Sequence, residues 1–152
     1  MTGAEIINKF YSSFHRHDAE AMAALYAPNA VFTDDVFGEL HGQEPGNMWR
    51  MLLKGTDVQV VWRNVVADDQ HGTAEWEATY TFTKTGRKVV NRVAASFIFD
   101  NGQIVRHTDV FDFWKWSRQA LGVSGWLLGW SPVLKNAVRK QALDGLRRFG
   151  SR

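Results

Sequence analysis

Two side chains near the last β-type segment of the sequence could exchange protons with a substrate. His107 and Asp109 lie two positions apart in an alternating segment, so in a strand both would point to the same face. The alternation places that face in the interior, where burial generally moves the pKa values of aspartates and histidines toward neutrality. The pattern predicts a general acid/base pair. The same pattern fits equally well with an ion pair of Asp109 with His107 or Arg92 at the solvent-exposed rim of a sheet.

A second carboxylate follows the first β-type run, residues 31–33. Asp34 ends this run and is a further candidate base, although the adjacent Asp35 could equally be the buried one. A metal triad of Asp34, His107 and Asp109 is conceivable. The other four histidines lie at a helix end or in loops, however, and the sequence as a whole predicts no metal site.

The sequence also restricts the kinds of chemistry that the chain could perform. It has no cysteine, which excludes thiolate catalysis and cysteine-ligated metals. It contains no phosphate-binding glycine loop, no nucleophile elbow and no dinucleotide fingerprint. We therefore expect any reaction to proceed without a cofactor.

The residues expected around the candidate acid/base groups are almost all apolar or aromatic. A cavity lined in this way would suit a hydrophobic small molecule. The residues predicted to contact such a substrate are Phe10, Phe14, Trp49, Trp62, Trp76, Tyr80, Phe82, Val93, Phe97 and Phe111.

The first third of the chain predicts three helices and one strand. Thr2 and Glu5 form a capping-box pattern ahead of apolar residues at helical spacing. Asp18 is suited to cap a short second helix, which Pro28 is expected to end before a strand at residues 31–33. Residues 38–42 are expected to form a loop, and a third helix should follow and end at Gly55.

The middle of the chain predicts antiparallel strands. From Val58 onward apolar and polar residues alternate, which is typical of strands with one buried and one wet face. Thr85-Gly86 and Asn101-Gly102 are turn signals between them. In the last strand the alternation points Val105 inward with His107 and points Ile104 outward. Helices followed by antiparallel strands predict an α+β fold.

The last forty residues differ in composition from the rest. They carry eight Lys or Arg against the single acid Asp144, and Pro132 opens an amphipathic helix. A solvated basic surface is the favoured interpretation. Contact with an anionic membrane is a less favoured one, and nucleic acid is not expected as a partner. Because the sequence shows neither a run of eighteen apolar residues nor a leader pattern, it predicts a soluble cytoplasmic protein.

Three segments of residues 5–113 resemble the superfamily of nuclear transport factor 2, ketosteroid isomerase, SnoaL-like polyketide cyclases and limonene epoxide hydrolase. The segments are 10–18, 25–32 and 100–107. The resemblance implies a cone-shaped, curved, antiparallel or mixed sheet wrapped around N-terminal helices, as in cystatin-like folds. It divides the chain into a SnoaL-like domain at residues 1–113 and a basic helical extension at 114–152, packed on the same domain.

The resemblance implies site residues only in part. The aspartate base of the isomerase corresponds to Asp34, but its two oxyanion donors correspond to Phe10 and Ala95, which cannot donate hydrogen bonds. The catalytic aspartate of the cyclases and hydrolases corresponds to Asp109, and the hydrolase arginine to Arg92, which alternation turns outward.

Two functions of different classes follow as hypotheses. One is a cofactor-free isomerase, cyclase or hydrolase that uses Asp109, His107 and Asp34 on a hydrophobic molecule. The other is a non-catalytic module that binds an apolar ligand or a protein. A homodimer is expected through the outer sheet face, where Val61, Ala94, Ile98 and Val110 leave apolar surface. The tryptophans at 114, 116, 126 and 130 could cover the mouth of the cavity or enlarge that interface.

Overall fold

The computed structural model describes residues 1–129 and 131–151 and shows an α+β fold. This part of the chain contains six helices and six strands. In order they are α1 Gly3–His15, α2 Ala19–Ala23, β1 Tyr26–Asp34, β2 Gly38–His41, α3 Glu44–Leu53, β3 Gln59–Ala67, β4 His71–Phe82, β5 Arg87–Asp100, β6 Gln103–Val110, α4 Phe113–Leu121, α5 Val123–Leu128 and α6 Pro132–Gly150.

The strands form one curved, open sheet in the order β2-β1-β6-β5-β4-β3. All neighbours are antiparallel except β1 and β6, which run parallel, so the sheet is mixed. The parallel pair aligns Phe32 with His107 and Thr33 with Thr108. Since side chains alternate along both strands, the next residues, Asp34 and Asp109, lie on the same face of neighbouring strands.

The N-terminal helices fill the concave face of this sheet. Thr2 and Glu5 form the predicted capping box at the start of α1, and Asp18 caps α2 through the backbone N–H of Ala21. The buried face of α1 carries Ile6, Phe10 and Phe14 into the core. Each large apolar side chain that leaves water in this way contributes about 1.5–3 kcal/mol before the cost of ordering it.

Two predicted boundaries on the N-terminal side are wrong. Helix α2 ends at Ala23 and β1 already starts at Tyr26, so Pro28 lies within a strand rather than at a helix end. The pairing register of β1 shifts between Tyr26 and Val31, and a strand can accept a proline at such an irregularity. Residues expected in a loop form the short edge strand β2, which pairs with the end of β1.

The inward residue at the start of β6 also differs from the prediction. The register of β5 with β6 moves from Ile98 opposite Arg106 to Phe99 opposite Ile104, so Val105 is an extra residue in the ladder. This irregularity turns Ile104 into the core, where it is fully buried. The side chains of β6 that were predicted to point inward do so only from His107 onward.

The C-terminal extension packs back on the sheet and on α3. The Gln119 side chain accepts a hydrogen bond from the Val90 backbone N–H and donates one to the Val90 carbonyl oxygen, which fixes α4 against β5. Helix α6 starts at Pro132 as predicted and lies against α3. In the described part of the chain no helix is long and apolar enough to span a membrane.

Candidate functional site

His107 and Asp109 point together into the interior, as the spacing predicts. His107 is fully buried and Asp109 is 4% exposed, and their side chains lie 2.9 Å apart, from Nε2 to Oδ1. Arg92 instead pairs with Glu77 on the outer face at 2.8 Å. Of the two pairings considered for Asp109, the structure shows the buried one with His107.

The buried polar side chains form a chain of hydrogen bonds with a defined direction. The Trp49 indole N–H donates to the Tyr26 hydroxyl at 3.0 Å, and that hydroxyl lies 2.8 Å from His107 Nδ1. Because an indole N–H only donates, the tyrosine oxygen is the acceptor and its own proton is free to point at Nδ1. The imidazole then carries its proton on Nε2 and donates it to Asp109. With these directions every group in this chain has a hydrogen-bond partner.

Aromatic rings hold the imidazole in place. Phe97 stacks on His107 at a centroid distance of 4.3 Å, while Phe10 and Phe32 meet it edge-on at 5.3 and 5.0 Å. The ring therefore does not reach the cavity described below and contacts it only through Asp109. We interpret His107 as a positioning residue for that carboxylate rather than as a group that touches substrate.

Asp34 lies at the end of β1 with its carboxylate beside the cavity. Its Oδ1 accepts hydrogen bonds from the backbone N–H groups of Val36 at 2.9 Å and Phe37 at 2.7 Å. Burial is the largest cause that raises the pKa of Asp34 from 3.8 to about 7; the nearby charge of Asp109 also raises it, and the hydrogen bond from Phe37 lowers it. Asp35, the alternative, pairs with Lys135 at 3.0 Å.

A single large apolar cavity receives both carboxylates. Its volume is about 540 Å³, a size that suits a drug-sized molecule. The predicted contact residues that line it are Phe14, Trp49, Trp76, Tyr80, Phe82, Val93 and Phe111.

Three of the predicted contact residues lie outside this lining. Phe10 and Phe97 are buried against His107, and the Trp62 ring stacks on Tyr11 with its N–H bonded to Asn8. Sequence periodicity alone, helical for Phe10 and alternating for Trp62 and Phe97, assigned them to the interior. It does not distinguish a side chain in the filled part of the core from one at the cavity wall.

The C-terminal extension supplies one wall of the cavity. Trp116 and Leu121 of α4 and four residues of α6 line it, and the α6 residues are Val138, Gln141, Ala142 and Gly145. The Lys84 ammonium donates to the Gln141 side chain at 3.1 Å, which links α6 to the turn after β4. Of the tryptophans considered as a cover for the cavity, Trp116 lines its wall. Trp114 and Trp126 lie away from the cavity, and Trp130 is outside the described residues.

Two buried donors near the carboxylates have no partner in residues 1–129 and 131–151. They are the Trp76 indole N–H and the Tyr11 hydroxyl. Trp76 lines the cavity, and burial together with the charges of Asp109 and Tyr26 raises the pKa of Tyr11 well above 10.0, so its hydroxyl stays protonated. A buried donor without a partner costs about 1–3 kcal/mol, which an acceptor atom of a ligand could recover. Neither unpartnered donor was predicted from the sequence.

Two further polar groups lie at the cavity wall, and one of them, Tyr80, is a predicted contact residue. The Asn91 side chain lines the cavity, and the Tyr80 hydroxyl accepts a hydrogen bond from the Trp116 indole N–H at 2.8 Å. No group of three or more His, Asp or Glu side chains in the described ranges is arranged to hold a metal ion. The polar groups at the cavity are therefore suited to proton transfer and hydrogen bonding.

Solved structures with the same architecture are numerous. An epoxide hydrolase from M. tuberculosis that resembles limonene epoxide hydrolase is 18% identical, with 78% of this chain and 88% of that one covered at a TM-score of 0.66. A candidate polyketide cyclase from Pseudomonas putida is 20% identical, with 79% and 98% covered at 0.65. A protein of ketosteroid isomerase-like fold from Catenulispora acidiphila, in complex with trimethylamine, is 16% identical, with 80% and 96% covered at 0.68.

At these identities the structural likeness establishes the fold alone. No curated protein matches the chain. The profile of the SnoaL-like domain, by contrast, matches residues 7–107, from α1 to the imidazole of β6, and so covers well over half of the chain. With this match and the shared architecture together, the chain belongs to the SnoaL-like family within the nuclear transport factor 2-like fold.

Proposed function

We propose that the protein is a cofactor-free enzyme that transfers protons on a hydrophobic carbonyl compound. The observation that carries this proposal is the pair of carboxyl groups at one apolar cavity. In this proposal Asp109, paired with His107 Nε2 at 2.9 Å, is the base, and Asp34, whose pKa burial raises to about 7, is able to hold a proton near neutral pH. Two carboxyls held in different protonation states are the arrangement needed for an acid and a base to act together.

The roles follow from the surroundings of each group. Asp109 removes a proton from the carbon next to the substrate carbonyl, and Asp34 donates its proton to the carbonyl oxygen, which gives a neutral enol. Return of the Asp109 proton to a different carbon and of the enol proton to Asp34 completes an isomerisation. Attack of the enol carbon on a second carbonyl would instead close a ring, with the proton on Asp109 passing to the new alkoxide oxygen and the enol proton returning to Asp34. Both outcomes leave the two carboxyls as they began.

The unpartnered Trp76 N–H is suited to hold the substrate oxygen. It is buried at the cavity wall, and a hydrogen bond to a developing enolate is stronger in this dry site than in water. In this proposal it takes the place of the oxyanion donors that Phe10 and Ala95 cannot supply.

The Trp76→Phe variant tests this assignment. Loss of the N–H is expected to lower kcat by about 10- to 100-fold with a smaller change in KM, because the bond strengthens in the transition state. Trp62→Phe is the matched control, since Trp62 lies outside the cavity lining and donates to Asn8. Equal kcat values for wild type and Trp76→Phe would remove Trp76 from the mechanism.

Hydrogen exchange provides the test of the reaction class. The protein is incubated in D₂O with a panel of hydrophobic ketones, enones and epoxides, and the products are followed by NMR and mass spectrometry. We expect deuterium to enter the carbon next to a carbonyl in at least one compound, with or without isomerisation. Epoxide opening by water would instead show a hydrolase, and release of every bound compound unchanged would show a binding module.

A further inference from the structure

The outer side of α5 exposes an unusual amount of apolar surface. We call this surface the α5 patch; its described members and their exposed fractions are Val123 74%, Trp126 57%, Leu127 66%, Leu128 50% and Val133 77%. Scattered exposed apolar residues are ordinary, but five of them within residues 123–133 indicate an interaction surface.

The local packing explains why these side chains point outward. Gly125 and Gly129 are the buried residues of this segment, and they face Ser117 of α4. A Cβ at Gly125 would overlap the Ser117 carbonyl, and one at Gly129 would overlap the Ser117 hydroxyl. Helix α5 thus uses its small residues to pack closely on α4 and leaves its large apolar residues to the outside, the reverse of an ordinary surface helix.

The surroundings of the α5 patch are positively charged. The segments 84–88 and 113–129 contain no Asp or Glu, and their five cations are Lys84, Arg87, Lys88, Lys115 and Arg118. The Arg87 Nε donates to the Gln119 carbonyl at 2.8 Å and the Thr85 hydroxyl to the Ala120 carbonyl, which fixes the basic turn after β4 beside α4.

Beside the α5 patch, Arg118 of α4 links the apolar residues to the basic ones. Its guanidinium lies 4.2 Å from the Trp114 ring centroid and 4.7 Å from that of Trp126. Tryptophan and arginine in such contact are suited to the boundary between lipid headgroups and acyl chains, where indole rings lie at the polar interface and basic side chains meet phosphates.

We propose that the α5 patch docks on the surface of an anionic lipid membrane. Apolar residues enter the acyl boundary while the surrounding cations contact the headgroups, a combination that binds a protein on a membrane without spanning it. The uniform positive charge favours a lipid surface over a second copy of this chain, which would bring the same cations against one another.

Docking at the α5 patch would also bring the cavity close to substrate in the membrane, and this point rests on the proposed function. Helix α4 separates the two features: Trp116 and Leu121 line the cavity, and Trp114 and Arg118 belong to the outer side. A hydrophobic substrate dissolved in the membrane would then reach the cavity over a short distance.

Flotation with lipid vesicles tests the proposal with the whole protein. Vesicles of equal parts phosphatidylcholine and phosphatidylglycerol should carry wild type to the top of the gradient at low salt, and vesicles of phosphatidylcholine alone should bind at least tenfold less. Replacing Trp126 and Leu128 by Ser should reduce binding at least tenfold. Replacing Lys88 and Lys115 by Gln should reduce it about 30-fold, or about fivefold for each charge removed.

Val66→Ser is the matched control, because Val66 is 70% exposed on β3 and lies outside the α5 patch. It should bind vesicles as wild type does. Absence of flotation for wild type would overturn the proposal, and so would equal binding by the Ser double variant. If wild type formed a dimer that bound no vesicles and the Ser double variant were monomeric, the α5 patch would be a protein interface. None of these results depends on turnover, so they leave the proposed reaction to its own test.

Discussion

Asp109→Asn is expected to lower kcat/KM by about 100- to 10,000-fold while the protein stays folded, because this is the usual contribution of a general base. Asparagine keeps an oxygen that can accept the His107 N–H at 2.9 Å, so the chain from Trp49 through Tyr26 to His107 remains satisfied. The amide cannot accept a proton from carbon. The loss should therefore appear in kcat, with substrate binding and the unfolding midpoint close to those of wild type.

The matched control for this variant is Asp100→Asn, an exposed aspartate at the other end of the same strand pair. It should retain full activity. If Asp109→Asn retained wild-type kcat/KM, Asp109 would not be the base. If the Asp109→Asn protein unfolded, its loss of activity would not report on the base. The stability and activity of His107→Gln would then show whether the chain of hydrogen bonds is needed only for folding.

Asp34→Asn is expected to stabilise the protein at alkaline pH and to give no gain in acid. The folded-state pKa of about 7 lies above the ordinary value of 3.8, so below about pH 4 the carboxyl is protonated in both folded and unfolded chains. Between the two values only the unfolded chain ionises, and the stability of wild type falls as pH rises. Above about pH 7 the loss is complete, on the order of 2–4 kcal/mol.

Asparagine removes the charge but keeps an acceptor oxygen for the N–H groups of Val36 and Phe37. Urea unfolding at about pH 4.5 and about pH 8 should therefore show a small gain for Asp34→Asn at the lower pH and the full gain at the higher pH. Asp57→Asn is the control for which the opposite change in stability is expected. Hydrogen bonds from the Thr81 hydroxyl and N–H lower the pKa of Asp57, so its carboxylate stabilises the fold above the ordinary pKa, and the variant should be weaker at alkaline pH. Equal gains for Asp34→Asn at both pH values would contradict the assigned pKa.

Much of the fold follows from local rules that act within a few residues. Thr2 and Asp18 cap helices through their own side chains, and Asn101-Gly102 forms a tight turn because both residues adopt positive φ. The directions of His107 and Asp109 follow from a period of two. These features depend on near neighbours in sequence, which is why they could be predicted.

The features that were missed depend on how elements pair and pack rather than on the local pattern of residue types. The extra residue Val105 arises from the pairing with β5, and β2 exists only because β1 lies beside it. The wall formed by α6 depends on its packing against α3. The same holds for the unpartnered Trp76 N–H: alternation turns the ring inward, but only the packed structure shows that no acceptor meets it.

The Asp34 side chain itself allows the most direct test of the acid/base pair. The ¹³C chemical shift of its carboxyl carbon, assigned by comparison with Asp34→Asn, is followed from acid to alkaline pH. We predict a midpoint near 7 in wild type and a lower midpoint in Asp109→Asn, because the charge of Asp109 raises the pKa of Asp34. A midpoint near 3.8 that is the same in both proteins would contradict the account.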